Sequence, residues 1–382
     1  MGLFNKSACL LLLVSLCVSS DAFPCAAFSF KDGDALIFGR NVDSPDAPPG
    51  VVVVNKRGVY REGVTFAWLY GGKKDKSPKI TWVSKYGSIT FNYSGIEFPD
   101  GGMNEAGLFF EEMTLLETKY PADQSKPTLF MSQWIQYILD TCASTAQVVE
   151  NAKQINLDGW NWHFYAADKN GERAVIEFLD GTAVIHRDKI LPYSILTNSI
   201  YTEELAKIKQ YQGFGGDKVL DVKDYDGPSR FVRGAGMIAR FNPRIDACPV
   251  DYGFRLLDTI SPDHMRFPSI TSLAKVYDVK NRRIFFRTSI AKKIRYVNMD
   301  AFDYSCQTPI KILDMHIDRA GDVTSNFTDY SAEADHEILV KHFEHFTKIP
   351  EFRQYMKDNN VSLESIVKRH ADYKKTVSCQ EK

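Results

Sequence analysis

The sequence has no surplus of either charge, since 47 lysines and arginines stand against 48 aspartates and glutamates. A chain without a basic excess has little with which to neutralise a phosphate backbone, which sets nucleic acid aside as a partner. It contains no Cys-x-x-Cys spacing, and of its eight histidines only His342 and His345 stand three apart while the rest are scattered. Neither a metal site nor another cofactor is therefore expected. No low-complexity run interrupts the chain, and the apolar stretch Ala8 to Val18 is too short to cross a bilayer, so no stable membrane anchor is expected. What remains is a chain of 382 residues, 44% of them apolar, enough for one large or two modest globular domains.

Residues 1–22 read as a secretory signal, with Lys6 as the charged element and Ser20-Asp21-Ala22 as a small-x-small cleavage site. The expected location is therefore outside the cytoplasm, periplasmic or secreted. A lipoprotein signal fits less well, because Cys17 follows Leu16 where a small residue is preferred. Cleavage leaves Phe23-Pro24-Cys25. Proline suits a signal-peptidase site poorly, so exposing Cys25 takes a second trimming step, self-catalysed or by another protease. Losing Cys9 and Cys17 leaves Cys25, Cys142, Cys248, Cys306 and Cys379, an odd count in an oxidising compartment. If the last four pair in some order, Cys25 is the one left free; the alternative is that one of the others is a buried thiol.

The stretch from Cys25 to Asp43 carries the chemistry. A cysteine at a chain terminus holds a thiol and an α-amine on one Cα, with unperturbed pKa values of roughly 8.5 and 7.7–8.0, so the amine can take the thiol proton without a histidine. Phe28 and Phe30, then Leu36 and Phe38, alternate around the turn Lys31-Asp32-Gly33-Asp34 as a hairpin does. The returning strand brings Arg40 and Asp43 back beside Cys25. A guanidinium there favours thiolate, and a carboxylate can hold an ammonium. The competing reading makes Cys25 half of a disulfide and Arg40 to Asp43 an ordinary strand end.

Beyond Asp43 the pattern is a meandering antiparallel sheet: Val51 to Val54, Trp82 to Tyr93, and a glycine-rich turn at Asp100 to Gly107 leading into Leu108 to Thr114. Phe130 to Leu139 and a segment capped by Ser144 with Gln147 form a helical hairpin. Strands return at Trp162 to Ala167, Ala174 to Phe178 and Ala183 to His186, with a tight turn at Asp180-Gly181. Asn198 ends an apolar strand, either as a turn residue or as a donor aimed at a reacting carbonyl. A helix opens at Ser229 and contains Arg230. Leu273 to Val279 and Arg283 to Thr288 form a last hairpin. From Ser331 the chain turns charged and helical, which reads as a solvated appendage.

Five segments in this order resemble the choloylglycine hydrolase family, which includes bile salt hydrolases and penicillin V acylases. They are Cys25, Phe38-Gly39-Arg40-Asn41-Val42-Asp43, Asp100 to Leu108, Leu196-Thr197-Asn198-Ser199 and Ser229-Arg230-Phe231-Val232-Arg233. The resemblance, which covers roughly residues 25–310, implies an α+β fold, a four-layer αββα sandwich of N-terminal-nucleophile type taken over 25–330, and the residue pattern adds a helical tail over 331–382. It implies that Cys25 is nucleophile and base, that Asp43 orients its amine, that Arg40 and Arg230 flank the thiol, and that Asn198 holds the scissile amide. It also implies a small N-acyl amide substrate of bile-salt, penicillin V or acyl-homoserine-lactone type, and a possible homo-oligomer. Family members carry asparagine or tyrosine where this chain has Thr114, so an oxyanion donor there has to be the backbone N–H. Two rival functions share the fold: a ceramidase or N-acylethanolamine-amidase-like enzyme, and a non-catalytic secreted binding protein. Aromatic-rich loops at Phe66 to Tyr70 and Ile96 to Phe98 are candidate pocket walls or core.

Overall fold

The computed structural model describes residues 24–33, 35–74, 76–221, 227–246, 248–262 and 270–380. Residues 1–22, which the sequence reading assigns to a secretory signal, lie outside the described residues. The chain opens on a hairpin of β1 (Ala26–Asp32) and β2 (Ala35–Ser44), paired from Ala26↔Asn41 to Asp32↔Ala35. The two-residue connection starts at Gly33, whose φ of 52° lies in the left-handed region that suits a hairpin turn. The hairpin sits inside a seven-stranded sheet, between Ile195–Leu196 on one side and Ile270–Asp278, Arg283–Thr288, Arg295–Asn298 and Gly321–Asp322 on the other.

A second, nine-stranded sheet runs in the order Thr182–Arg187, Arg173–Leu179, Trp162–Ala167, Phe109–Thr114, Gly101–Asn104, Ser88–Asn92, Val51–Asn55, Lys311–Asp314, Thr328–Asp329. The helices are α1 (Phe66–Gly71), α2 (Met131–Thr141), α3 (Thr145–Ala152), α4 (Tyr201–Ile208), α5 (Gly227–Arg240), α6 (Pro249–Thr259), α7 (Ala332–Phe346), α8 (Pro350–Asp358) and α9 (Leu363–Lys374). Helices α5 and α6 cover the outer face of the first sheet, and α2 and α3 the outer face of the second. The layers are thus helix, sheet, sheet, helix, as expected from the αββα resemblance.

Two cores follow from this stacking. One fills the space between the sheets and under α5 and α6, with Phe28, Phe38, Phe109, Tyr165, Phe231 and Leu257 all fully buried. The other lies beyond the second sheet, where Phe110, Trp134, Phe164 and Ile176 meet Leu339, Phe343 and Ile366 of the C-terminal helices. Alternation along each strand makes this possible, because Phe109 and Phe110 are neighbours in sequence and serve different cores.

Three expectations need correction. The segment Phe66 to Tyr70 is helix α1, capped by Thr65, whose hydroxyl accepts from the Trp68 N–H, and ended by Gly72 in the left-handed conformation. Of the two readings given for these aromatic segments, core rather than pocket wall is the one that holds, since Leu69, Tyr70 and Phe98 pack into the outer core. The C-terminal segment is three helices with a buried face, and its last strand, Ser378–Cys379, pairs with Val59–Glu62. Finally, Cys306 is bonded to Cys379, whereas Cys142 is a buried free thiol and Cys248 an exposed one, so the four cysteines after Cys25 form one pair rather than two.

Candidate active site

The pleat of β1 decides where the thiol goes. Phe28 and Phe30 point outward, Phe30 meeting Phe241 and Tyr252 beneath α5 and α6. The odd positions therefore face the space between the sheets, where the Ser29 hydroxyl lies 2.7 Å from Tyr165 Oη. Cys25 is odd, free and only 4% exposed. On β2 the same logic puts Arg40 inward with Phe38, whose ring tilts against Phe109, while Asn41 points outward and donates to the Leu257 carbonyl at 2.9 Å. Gly39 is needed here, because a Cβ would overlap the ring of Phe28 on the neighbouring strand.

Register then brings the expected residues together. Arg40 pairs across from Ala27, which sets its guanidinium on the same face of the hairpin as Cys25, close enough to act on the charge of the thiol. The Asp43 backbone lies on the same side and draws the Cys25 thiol down. Between Thr271 and Leu273 the neighbouring strand bulges beside Val42 and Asp43, and Thr271 donates to Asp43 Oδ1 at 2.6 Å. Arg230, buried on α5, donates from Nη2 to the Cys25 carbonyl at 2.7 Å and to the Pro24 carbonyl, with Asp43 Oδ2 4.0 Å away. A fourth contact, from Arg230 Nε to the Ile260 carbonyl at 2.7 Å, ties it to the end of α6.

Asn198 reaches the site from the first sheet's edge and donates from Nδ2 to the Thr114 carbonyl at 2.8 Å. One N–H of that amide remains for a ligand. Thr114 stands at the end of its strand opposite Trp162, and the Leu115 N–H donates to the Asn161 carbonyl at 2.9 Å. In an antiparallel ladder this turns the Thr114 N–H and C=O away from the Trp162 strand, towards Asn198. The threonine hydroxyl is no substitute for a side-chain amide, but its backbone N–H is directed to the same side as the carbonyl that Asn198 holds.

Electrostatics leave the thiol protonated in this form of the chain. Burial pushes the Cys25 thiol up, Arg40 draws it down, and the carboxylates of Glu112 and Asp43 push it up again. Arg40 stays charged because Cys25, Glu112 and Glu111 outweigh its burial. Sequence reasoning passed over these two glutamates. Arg40 Nη2 donates to Glu112 Oε1 at 2.8 Å, while Glu111 accepts from Lys275 Nζ at 2.7 Å and from Tyr277 Oη at 2.6 Å. Two consecutive carboxylates inside the otherwise apolar strand Phe109–Thr114 were the available signal.

Another buried carboxylate, Glu177, holds the start of α4 just after Asn198. Glu177 accepts from the Tyr201 N–H at 2.8 Å, at the start of α4, and lies 2.9 Å from His186 Nε2 and 3.5 Å from His163 Nδ1. Burial raises this group, but hydrogen bonds from the two histidines bring it down to about 2. Its folded value is thus below the unfolded one of roughly 4.3, so its contribution to stability is complete above that pH and disappears as pH falls towards 2. Glu177→Gln is expected to lose about 1.5 kcal/mol of the stability change between pH 5 and pH 3. Urea titrations at pH 5 and pH 3 check this, and an unchanged difference between the two pH values argues against it.

Among the described residues no cluster of histidine, cysteine and carboxylate side chains is placed to hold a metal, and no helix is long and apolar enough to cross a membrane. Two surface hollows, of about 400 and 650 Å³, are lined by residues such as Tyr137 and Cys142, and Phe302 and Phe327; neither includes Cys25.

Comparison with known proteins places these features in context. Residues 25–243 match the model of the family described as linear amide C–N hydrolases, choloylglycine hydrolase family. The chain is 24% identical over 347 residues to a penicillin V acylase of Pectobacterium atrosepticum, covering 79% of this chain and 88% of that protein. Its fold is similar to the structure of penicillin V acylase from Agrobacterium tumefaciens, with a TM-score of 0.69, 25% identity, and coverage of 80% of this chain and 98% of the other. A variant of conjugated bile acid hydrolase from Clostridium perfringens shares the fold at a TM-score of 0.62 and 18% identity, over 76% of this chain and 97% of the other.

Proposed function

The chain belongs to the choloylglycine hydrolase family and is a linear amide C–N hydrolase acting on non-peptide amides; on that premise we propose that it is an exported cysteine N-terminal-nucleophile enzyme that cleaves an N-acyl amide through a thioester. The observation that supports this reading is the free Cys25 at the head of β1, with Arg40, Asp43 and Arg230 gathered around its thiol and backbone. Removal of the residues before Cys25 frees its amine. The amine accepts the thiol proton, and the sulfur attacks the amide carbon, forming a C–S bond and a tetrahedral oxyanion. Asn198 Nδ2 and the Thr114 N–H are the donors placed for that oxyanion. Arg40 compensates the sulfur's negative charge, and Asp43 compensates the ammonium.

The ammonium proton then passes to the leaving nitrogen as the C–N bond breaks, leaving a thioester on Cys25. Water attacks that thioester, giving its proton to the amine, and the acid departs as the thiol reforms. Arg230 binds carbonyl oxygens of Pro24 and Cys25, so its role is to hold the terminal residue still. The substrate class follows the relatives named above: an N-acyl amide such as penicillin V, with a conjugated bile salt or an acyl-homoserine lactone as alternatives within the class. N-terminal sequencing of the exported protein is expected to begin at Cys25, and that material is expected to hydrolyse at least one of the three amides. A mature chain that begins at Phe23 and hydrolyses them equally well rules out the amine-assisted step.

A further inference from the structure

The space between the sheets holds a charged group that the hydrolytic steps above do not use. Glu112 is 6% exposed, and its Oε1 accepts from Arg40 Nη2 at 2.8 Å. Arg40 is wholly buried, shares the inward face of the hairpin with Cys25 and is coupled electrostatically to its thiol, so one guanidinium stands between a sulfur from the first sheet and a carboxylate from the second. We propose that Glu112 is a positioning residue that acts through Arg40: it fixes where the guanidinium sits and how much of its charge reaches the Cys25 sulfur. This inference rests on the reading of Cys25 as the nucleophile.

The neighbours of Glu112 support a tuned arrangement. On its own strand, Glu111 is engaged by Lys275 and Tyr277 from the strand Ile270–Asp278, and Glu111 Oε2 lies 3.7 Å from Arg40 Nε. Lys275 sits directly across from Arg40 in the first sheet, so the two buried cations face two buried carboxylates. From the segment before Gly101, Asp100 is pushed up to about 8 by burial and then by Glu112, which leaves it neutral at pH 7. Tyr93 and Tyr120 complete the ionisable groups nearby, and burial raises both. Lys275 answers Glu111 and Asp100 is uncharged; burial raises Glu112 and Arg40 draws it back down, so Glu112, the nearer of the two carboxylates beside Arg40, is the one that most directly competes with the thiolate for it.

The competition has an experimental signature. Glu112→Gln keeps the shape and an acceptor oxygen but removes the competing charge, so more of the Arg40 field falls on sulfur. The pH midpoint of Cys25 alkylation by iodoacetamide, followed by mass on the mature protein, is expected to move down by about one unit. Glu112→Asp keeps the charge but is one methylene shorter and draws the guanidinium towards the second sheet, so the midpoint is expected to move up. A role confined to packing shifts both variants in the same direction or neither, and either of those results overturns the proposal. If the Gln variant does not fold, the Asp variant alone decides, and a midpoint that stays put or falls counts against the inference. Because alkylation is read without turnover, this result stands apart from that of Cys25→Ser, which tests the nucleophile itself.

Discussion

Cys25→Ser is expected to abolish amide hydrolysis, with kcat falling about 10⁴-fold or more, in a protein that folds as the parent does. The reasoning is chemical. A terminal amine with a pKa near 8 shares a proton readily with a thiol near 8.5, but the hydroxyl of serine gives its proton up far less easily, so the attacking anion is scarcely populated. The fold is expected to tolerate the change because the side chain is small and sits at the mouth of β1 rather than in mid-strand. Its thermal midpoint should stay within about 2 °C, since no large cavity is opened. Steady-state hydrolysis and a melting curve on the same preparation measure both halves. Retained turnover in the serine protein removes the sulfur from the mechanism. The intact mass of this variant carries a second result: a chain still bearing Pro24 indicates that the thiol makes its own terminus, whereas normal trimming assigns the cut to another protease.

Much of this site was legible because strand chemistry is local. The alternation of Phe28, Phe30 and Phe38 and the glycine turn determine a hairpin, and a hairpin determines that Arg40 and Asp43 return to Cys25. The turn Asp180-Gly181 was legible for the same reason, and both residues take the positive φ it calls for. Glu112 was not. A charged residue in a strand reads as solvent-facing, and only the stacking of one sheet on another reveals that Arg40, 72 positions away, is its partner. Helix α6 was also missed, although Pro249 at its first turn and Val250, Phe254 and Leu257 at helical spacing marked it. It matters to the site, because its Leu257 and Ile260 carbonyls hold Asn41 and Arg230.

The C-terminal helices were misjudged as solvated for an instructive reason. Their buried face is diluted by ionisable residues: Asp335, His342 and His370 are buried beside Leu339, Phe343, Ile366 and Val367. Burial lowers the two histidines, to about 3 and about 4, so both are uncharged and serve as polar packing groups. His342 Nε2 lies 3.0 Å from the Ser94 hydroxyl, and its ring stacks at 6.5 Å on Tyr93, the residue beside the Arg40 pocket. The tail therefore reaches, through Tyr93, the core that also contains Cys25.

Removing residues 331–382 is accordingly expected to leave a chain that does not fold to a soluble native state. Leu339, Phe343, Phe352, Ile366, Val367 and Tyr373 are each at most 3% exposed, and burying a side chain of this kind contributes roughly 1.5–3 kcal/mol. Six of them amount to roughly 9–18 kcal/mol, which is at least as large as the whole stability of an ordinary domain. Their loss also uncovers Leu69, Tyr70, Phe98 and Phe130. A point change grades the same argument. The Phe343 ring lies 5.8 Å from Tyr70 and 5.0 Å from His370, so Phe343→Ala is expected to cost about 3–5 kcal/mol in urea unfolding. Reducing Cys306–Cys379 should cost less, because the helices keep their apolar face after the terminal strand is released. A soluble 25–330 fragment with cooperative unfolding would make the tail a separable appendage and return the hydrolase core to the two sheets alone.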